Sequence, residues 1–184
     1  MFKKERIQLT AILCLIVIAC QAQTADKQIS DIRENFRVIN EDRNLIIGDT
    51  INLVGESSER GFLIKIADSK GNLRKMVVNY YGETGQNIEE YYVIDGRLFF
   101  YFTKKINYNR PIYYDKKMAA ENGDNEVFDI KKSKIEDTRF YFGTDQKLIQ
   151  MIDKNGAVIR DKKKMSDSEA DILQEYRGLK EKKK

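Results

Sequence analysis

The 184-residue chain contains no histidine, and its only two cysteines, Cys14 and Cys20, lie within the first twenty residues. Histidine is the most common general base and metal ligand, so Ser-His-Asp catalysis, Cys-His catalysis and His-ligated zinc sites are excluded in their usual forms. No cysteine beyond residue 20 is available for a disulfide. The fold therefore depends on packing and hydrogen bonds.

The sequence also lacks a basic region that would belong to a folded domain. Residues 1–19 carry a net charge of +2 and residues 160–184 a net charge of +3, which leaves −1 for residues 20–159, so the positive net charge of +4 arises at the two ends. Nucleic-acid-binding domains cluster Lys and Arg on the folded surface, so we expect no nucleic-acid partner. No Gly-rich phosphate loop is present, and the acidic run 121–126 lacks the ligand register of an EF-hand. We therefore expect no cofactor and no metal.

The first nineteen residues have the pattern of an export signal. Lys3, Lys4 and Arg6 precede an apolar run from Ala11 to Ala19. A basic start, a short apolar run and small residues at its end are typical of a signal peptide. The run is shorter than the roughly 18–20 residues that a membrane-spanning helix needs. We predict that residues 1–19 are a removable signal peptide.

The end of this run carries a more specific motif, Val17-Ile18-Ala19-Cys20. It resembles the lipobox of bacterial lipoproteins. The resemblance implies that Cys20 becomes the first mature residue, carries the lipid and anchors the protein to a membrane of the cell envelope. The alternative is ordinary cleavage after Ala22 or Gln23, which would release a soluble periplasmic or secreted protein.

The mature chain divides into three predicted parts. Residues 20–30 are polar and predict a tether, residues 31–159 a single β-rich domain, and residues 160–184 a C-terminal helix with a basic tail. A capping-box pattern at Ser166–Glu169 places the start of that last helix. Apolar residues at helical spacing also predict an amphipathic helix before the first strand: Ile29, Ile32, Phe36 and Ile39.

The stretch Glu89–Thr103 predicts the central hairpin of the domain. Two aromatic and β-branched runs flank Asp95-Gly96, a dipeptide that suits a tight hairpin turn. Similar runs on both sides predict an α+β fold, an antiparallel meander of about six to eight strands packed by the N-terminal helix, with a short C-terminal helix. The apolar runs on either side of Gly48-Asp49 predict a further short hairpin or strand pair that is interrupted at this dipeptide.

Three polar turns are each followed by a basic or polar residue and a leucine, at Asn72-Leu73, Arg97-Leu98 and Lys147-Leu148. This pattern resembles the tandem β-hairpins of MORN-like repeats. The resemblance implies a meander in which each leucine begins a returning strand. An unrelated antiparallel meander would produce the same spacing.

Two groups of residues are candidates for a site. Tyrosines of the central strands could stack on a ligand, although alternation places half of them toward a core. These candidates are Tyr80, Tyr81, Tyr91, Tyr92 and Tyr101. Two carboxylates about 5–9 Å apart could act as glycosidase acid and base. The acidic candidates, which we interpret as solvated charges, are Glu83, Glu89, Glu90 and Asp95.

These observations predict an exported envelope lipoprotein. With no catalytic constellation, a non-enzymatic binding or accessory module for a protein or glycan partner is favoured. One alternative is a secreted, carboxylate-dependent, glycosidase-like hydrolase. The other is a structural envelope protein that self-associates through a sheet edge.

Overall fold

The computed structural model describes residues 25–53, 55 and 59–183. The predicted signal peptide and Cys20 lie outside these residues. The chain forms two compact units, residues 1–40 and residues 41–184.

The described part of the first unit is helix α1, which covers residues 25–41. It begins inside the segment predicted as a tether. Two ion pairs stabilise its exposed side, Lys27–Asp31 at 2.8 Å and Glu34–Arg37 at 2.6 Å. Both have the spacing of helical neighbours, and such solvent-exposed pairs contribute little to stability.

The second unit is built on one eight-stranded antiparallel sheet in which every strand pairs with its neighbours in the chain. The α+β class and the meander are therefore confirmed. The strands are β1 (Ile46–Asn52), β2 (Arg60–Ala67), β3 (Leu73–Gly82), β4 (Gly85–Ile94), β5 (Arg97–Asn107), β6 (Lys134–Phe142), β7 (Leu148–Ile152) and β8 (Val158–Ile159). Helix α2 (Lys116–Glu121) and a 3-10 turn (Ile130–Lys132) lie between β5 and β6, and helix α3 (Lys162–Glu181) ends the fold.

The predicted central hairpin is present as β4 and β5. Asp95 and Gly96 have φ angles of 51° and 72°. Positive φ at both central residues matches a two-residue turn whose twist fits the strands. Leu73 begins β3, Arg97-Leu98 begins β5 and Leu148 begins β7, so each of the three turns predicted from the leucine pattern leads into a strand.

Helix α3 packs across one face of the sheet, which we call the helix-side face. Register places Met76, Tyr91, Tyr101, Phe140 and Met151 side by side across this face. Buried side chains of α3 join them in one core, namely Ile172, Tyr176 and Leu179. Burying each such side chain contributes about 1.5–3 kcal/mol, so apolar packing holds the helix on the sheet.

Polar contacts also hold α3 on the sheet. In the first half of the helix, Glu169 Oε2 accepts a hydrogen bond from the backbone N–H of Leu148 at 2.7 Å. At its end, Lys65 Nζ donates to the carbonyl oxygens of Lys180 and Lys182, both at 2.7 Å. A cation at a helix C-terminus complements the helix dipole.

Two local predictions are wrong. Gly48-Asp49 is a bulge within β1, because the register shifts between Ile47 and Thr50 without reversing the chain. A Cβ on Gly48 would lie 2.8 Å from the carbonyl oxygen of Lys65, which explains the glycine. Helix α3 begins before the predicted capping box, because the side chain of Asp161 caps it by accepting from the N–H of Lys164.

Candidate functional site

A cleft of about 430 Å³ lies between α3 and two hairpin turns, and we call it the α3 cleft. Gly96 of the β4–β5 turn and Gln146 of the β6–β7 turn form one side. Residues on one side of the helix form the other: Leu173, Tyr176, Arg177, Lys180 and Glu181. Small-molecule sites have volumes of about 300–1,000 Å³, so a small ligand fits.

Hydrogen bonds fix the walls of the α3 cleft relative to each other. The carbonyl oxygen of Gly96 accepts from the Tyr176 hydroxyl at 2.9 Å and from Lys180 Nζ at 3.3 Å. Gln146 Nε2 donates to the carbonyl oxygen of Leu98 at 2.7 Å. The helix and both turns are thereby joined, which preforms the cleft.

Gln146 has an unusual backbone conformation, with φ of 64°. The left-handed region costs a residue with a Cβ about 1–2 kcal/mol, and glycine or asparagine is usual there. The hydrogen bond from its side chain to Leu98 offsets part of this cost. Residues held in such conformations cluster at functional sites, which directs attention to this turn.

The charged groups of the α3 cleft are two cations and one carboxylate. The side chain of Arg177 is exposed and forms no hydrogen bond or ion pair with any residue in the described part of the chain. Lys180 donates one hydrogen bond, to Gly96, although an ammonium can donate three. Unused N–H donors therefore face this space, together with the single carboxylate of Glu181.

A buried carboxylate lies on the same face of the sheet as α3. Glu89 is 7% exposed and accepts hydrogen bonds from the Tyr91 hydroxyl at 2.8 Å and from Asn87 Nδ2 at 2.7 Å. Tyr101 and the Glu175 carboxylate of α3 also act on it. We call these five residues the Glu89 cluster.

The pKa of Glu89 is raised from its ordinary 4.5 to about 7, first by burial and second by the nearby Glu175 carboxylate. Hydrogen bonds from Tyr91, Tyr101 and Asn87 oppose this rise because they stabilise the ionised form. Burial also raises the pKa of the Tyr91 and Tyr101 hydroxyls, which remain protonated donors. Near neutral pH, Glu89 therefore gains or loses one proton inside the fold.

Aromatic contacts connect the Glu89 cluster to the α3 cleft. The ring of Tyr91 lies 4.6 Å from that of Tyr101 and 6.4 Å from that of Tyr176, measured between centroids. Tyr176 is also a wall of the cleft. A change in the protonation of Glu89 thus acts on a tyrosine in contact with the cleft wall.

The structure separates the five candidate tyrosines between the two faces of the sheet. Register places Tyr80, Tyr91 and Tyr101 on the helix-side face, and Tyr81 and Tyr92 on the other. Tyr91 and Tyr92 have no exposed area and Tyr101 is 5% exposed, whereas Tyr80 and Tyr81 are half-buried. Only Tyr91 and Tyr101 form a close pair of rings. Ligand binding by these tyrosines stays a prediction.

The acidic candidates behave differently from one another. Glu89 and Glu90 lie on opposite faces, as alternation predicts, and Glu83 and Asp95 are exposed. The interpretation of all four as solvated charges is wrong for Glu89, which is buried. A signal was available, because Glu89 shares the alternation of Tyr91 and therefore the face of a core residue.

The residues of the α3 cleft were not identified from the sequence as a site. Helical spacing placed Tyr176 on the apolar side of the helix. Arg177 and Lys180 lie beside Tyr176 on the helix surface. No local pattern indicated that Gly96 and Gln146 would approach that side. Their proximity depends on where the helix crosses the sheet.

Among residues 25–53, 55 and 59–183, no three Cys, Asp or Glu side chains are grouped to hold a metal ion. No helix in that part of the chain combines the length and apolar character required to span a bilayer. A scan against protein-family models and searches of curated proteins and solved structures find no match to the chain.

Proposed function

We propose that the protein is an exported lipoprotein of the cell envelope whose sheet domain is a non-enzymatic binding or accessory module. The observation that carries the proposal is the motif Val17-Ile18-Ala19-Cys20 at the end of a short apolar run. Lipid on Cys20 attaches the protein to the membrane, and its acyl chains contribute about 0.8 kcal/mol per buried methylene. The folded domain then needs no apolar surface of its own for attachment.

The mass of the mature protein, isolated from the membrane fraction of an expressing bacterium, tests this proposal. We expect a chain that begins at Cys20 and carries acyl chains, and we expect Cys20→Ser to abolish the acylated form. A soluble mature chain that begins after Ala22 or Gln23 would contradict lipidation and support secretion.

The α3 cleft supports a binding role for the domain. It is preformed by hydrogen bonds between α3 and two turns, and it contains an exposed arginine with no partner in the described chain. A preformed space with few polar groups is typical of a ligand site. The binding role implies a partner in the envelope, a protein or a glycan.

A carboxylate-dependent hydrolase is the second candidate function, and the raised pKa of Glu89 beside Glu175 favours it. Glycosidases use one protonated and one ionised carboxyl group. Glu89 is only 7% exposed, which disfavours contact with a substrate. Release of nitrophenol from a panel of nitrophenyl glycosides, lost in Glu89→Gln, would support this function. No release from any of them would leave binding as the better proposal.

Self-association through a sheet edge is the third candidate, favoured by the exposed side chains of the edge strand β1. Ile46 is 56% and Ile47 is 71% exposed. Exposed apolar edge strands are templates for pairing, and lysine substitutions block it. Sedimentation velocity at high concentration should then show dimers that Ile47→Lys removes. A monomer at every concentration would exclude this role.

A further inference from the structure

We propose that the α3 cleft binds a small organic acid, with its carboxylate or phosphate group held by Arg177 and Lys180 and its apolar body placed against Leu173 and Tyr176. The inference rests on the proposed function as a binding module and specifies the ligand class for that site.

The hydrogen-bonding groups that remain available in the cleft favour an anion. Arg177 has five N–H donors, and none is used within the described chain. Lys180, three residues further along α3, lies on the same side of the helix and retains further donors. Arginine binds carboxylate and phosphate groups through two parallel hydrogen bonds, and such charge-assisted bonds are roughly twice as strong as neutral ones.

The acceptors of the cleft offer much less to a cationic ligand. The carbonyl oxygen of Gly96 already accepts hydrogen bonds from Tyr176 and Lys180. The carboxylate of Glu181 is therefore the principal acceptor, and it lies at the C-terminal end of α3. A cationic ligand would have to approach two positive side chains to reach it.

Two effects oppose an anion. The C-terminal end of a helix repels negative charge weakly, and Glu181 adds a like charge. A hydrogen bond to a charged group is stronger than this repulsion, and the cleft provides two cationic donors. The attraction exceeds the repulsion, although exposure to solvent limits it to weak or moderate affinity.

The rest of the lining determines the body of the ligand. Leu173 is half-buried and supplies most of the apolar surface beside the cations, and Tyr176, which is 4% exposed, adds only the edge that lines the cleft. The side-chain amide of Gln146, fixed by its bond to Leu98, lies on the opposite wall and marks the site for spectroscopy. An acid with an aromatic or branched apolar body matches both features.

The test is a titration of the full-length chain carrying Cys20→Ser, observed by ¹⁵N NMR, with three probes that share one ring and differ in charge. Phenylacetate and phenyl phosphate are the anions, and phenethylamine is the cationic control. We expect both anions, each to a different degree, to shift the Gly96 amide and the Gln146 side-chain amide saturably, and phenethylamine to leave them unchanged. The ratio of the two anion affinities identifies the preferred head group.

Matched variants on the same helix locate the binding. Arg177→Gln and Lys180→Gln should each weaken phenylacetate binding at least about fivefold. Lys163→Gln, which removes the same charge from the exposed first turn of α3 outside the cleft, should change it by less than about twofold. Glu181→Gln should tighten binding. Because the Arg177 side chain is exposed and makes no hydrogen bond in the described chain, Arg177→Gln should unfold at the wild-type denaturant concentration. Lys180→Gln also loses its hydrogen bond to Gly96 and should unfold at a slightly lower concentration.

Equal binding of phenethylamine and phenylacetate would overturn the proposal, as would unchanged binding after Arg177→Gln or no saturable shift with either anion. None of these outcomes changes the mass expected for the mature protein, which tests the lipidation of Cys20 independently. A failure of the ligand class is therefore distinguishable from a failure of the envelope role.

Discussion

Glu89 and Glu90 are adjacent on β4, and each accepts a hydrogen bond from the tyrosine two residues further along. The Tyr91 hydroxyl lies 2.8 Å from Glu89, and the Tyr92 hydroxyl lies 2.6 Å from Glu90. The two pairs lie on opposite faces of the sheet because successive side chains alternate.

The two carboxylates differ in the charge that faces them. Lys75 of β3 lies 3.1 Å from Glu90, and it also donates to the Tyr92 hydroxyl at 2.8 Å. Glu89 faces the Glu175 carboxylate of α3 instead. The same local sequence, Glu-x-Tyr, therefore produces an ion pair on one face and a carboxyl group that titrates near neutral pH on the other.

The largest expected effect is the pH dependence that Glu89 contributes to stability. Between pH 4.5 and about 7 the folded state holds a proton that the unfolded state has lost, so the free energy of unfolding falls as pH rises through this window. The loss is about 3 kcal/mol at 1.36 kcal/mol per pH unit. Urea unfolding from pH 4 to 9 measures it.

Glu89→Gln should remove this part of the pH profile, and Glu90→Gln should leave it in place. A wild-type profile that matches the Glu89→Gln profile would show that Glu89 ionises near its ordinary pKa.

On the opposite face, Lys75→Met should lower the free energy of unfolding by about 2 kcal/mol. The side chains of Lys75 and Glu90 are 13% and 23% exposed, which places the cost between those of a fully buried and a surface ion pair. Chemical denaturation measures the change. If the ion pair is responsible, Lys75→Met combined with Glu90→Gln should recover part of the loss.

A smaller effect is expected from Glu175→Gln, which should raise the free energy of unfolding at pH 8 by about 1 kcal/mol. It removes the like charge beside ionised Glu89, and the pKa of Glu89 should fall toward its ordinary value. Denaturation at pH 8 and NMR titration of Glu89 measure the two changes. Glu181→Gln is the control on the same helix, and an equal gain there would indicate a general effect of charge.

The smallest effects should follow removal of each tyrosine hydroxyl, about 0.5–1 kcal/mol of stability. Tyr91→Phe should also raise the pKa of Glu89, because the hydrogen bond from Tyr91 lowers it. Tyr92→Phe should leave that pKa unchanged, since it lies on the other face. NMR titration of Glu89 in both variants compares them directly, and equal shifts would contradict the separation of the faces.

The hairpins of the sheet could be predicted because their signals are local. Asp95-Gly96 and the leucines that begin returning strands each act within a few residues of their own turn. Gly48-Asp49 has similar composition but forms a bulge, because β1 pairs with β2 on both sides of it, and the carbonyl of Lys65 on β2 leaves no room for a Cβ at Gly48. A long-range contact decided between two structures that the local sequence allows.

The sequence alone determined an antiparallel meander of about six to eight strands and which side chains of the central hairpin share a face, since alternation and turn chemistry depend on neighbours in the chain. It also supplies the motif at Cys20. The tertiary structure alone decided that α3 crosses the helix-side face, where it brings Glu175 to Glu89 and Arg177 to the β4–β5 turn. Those pairs are about eighty residues apart along the chain, so only packing of the helix on the sheet could bring them together.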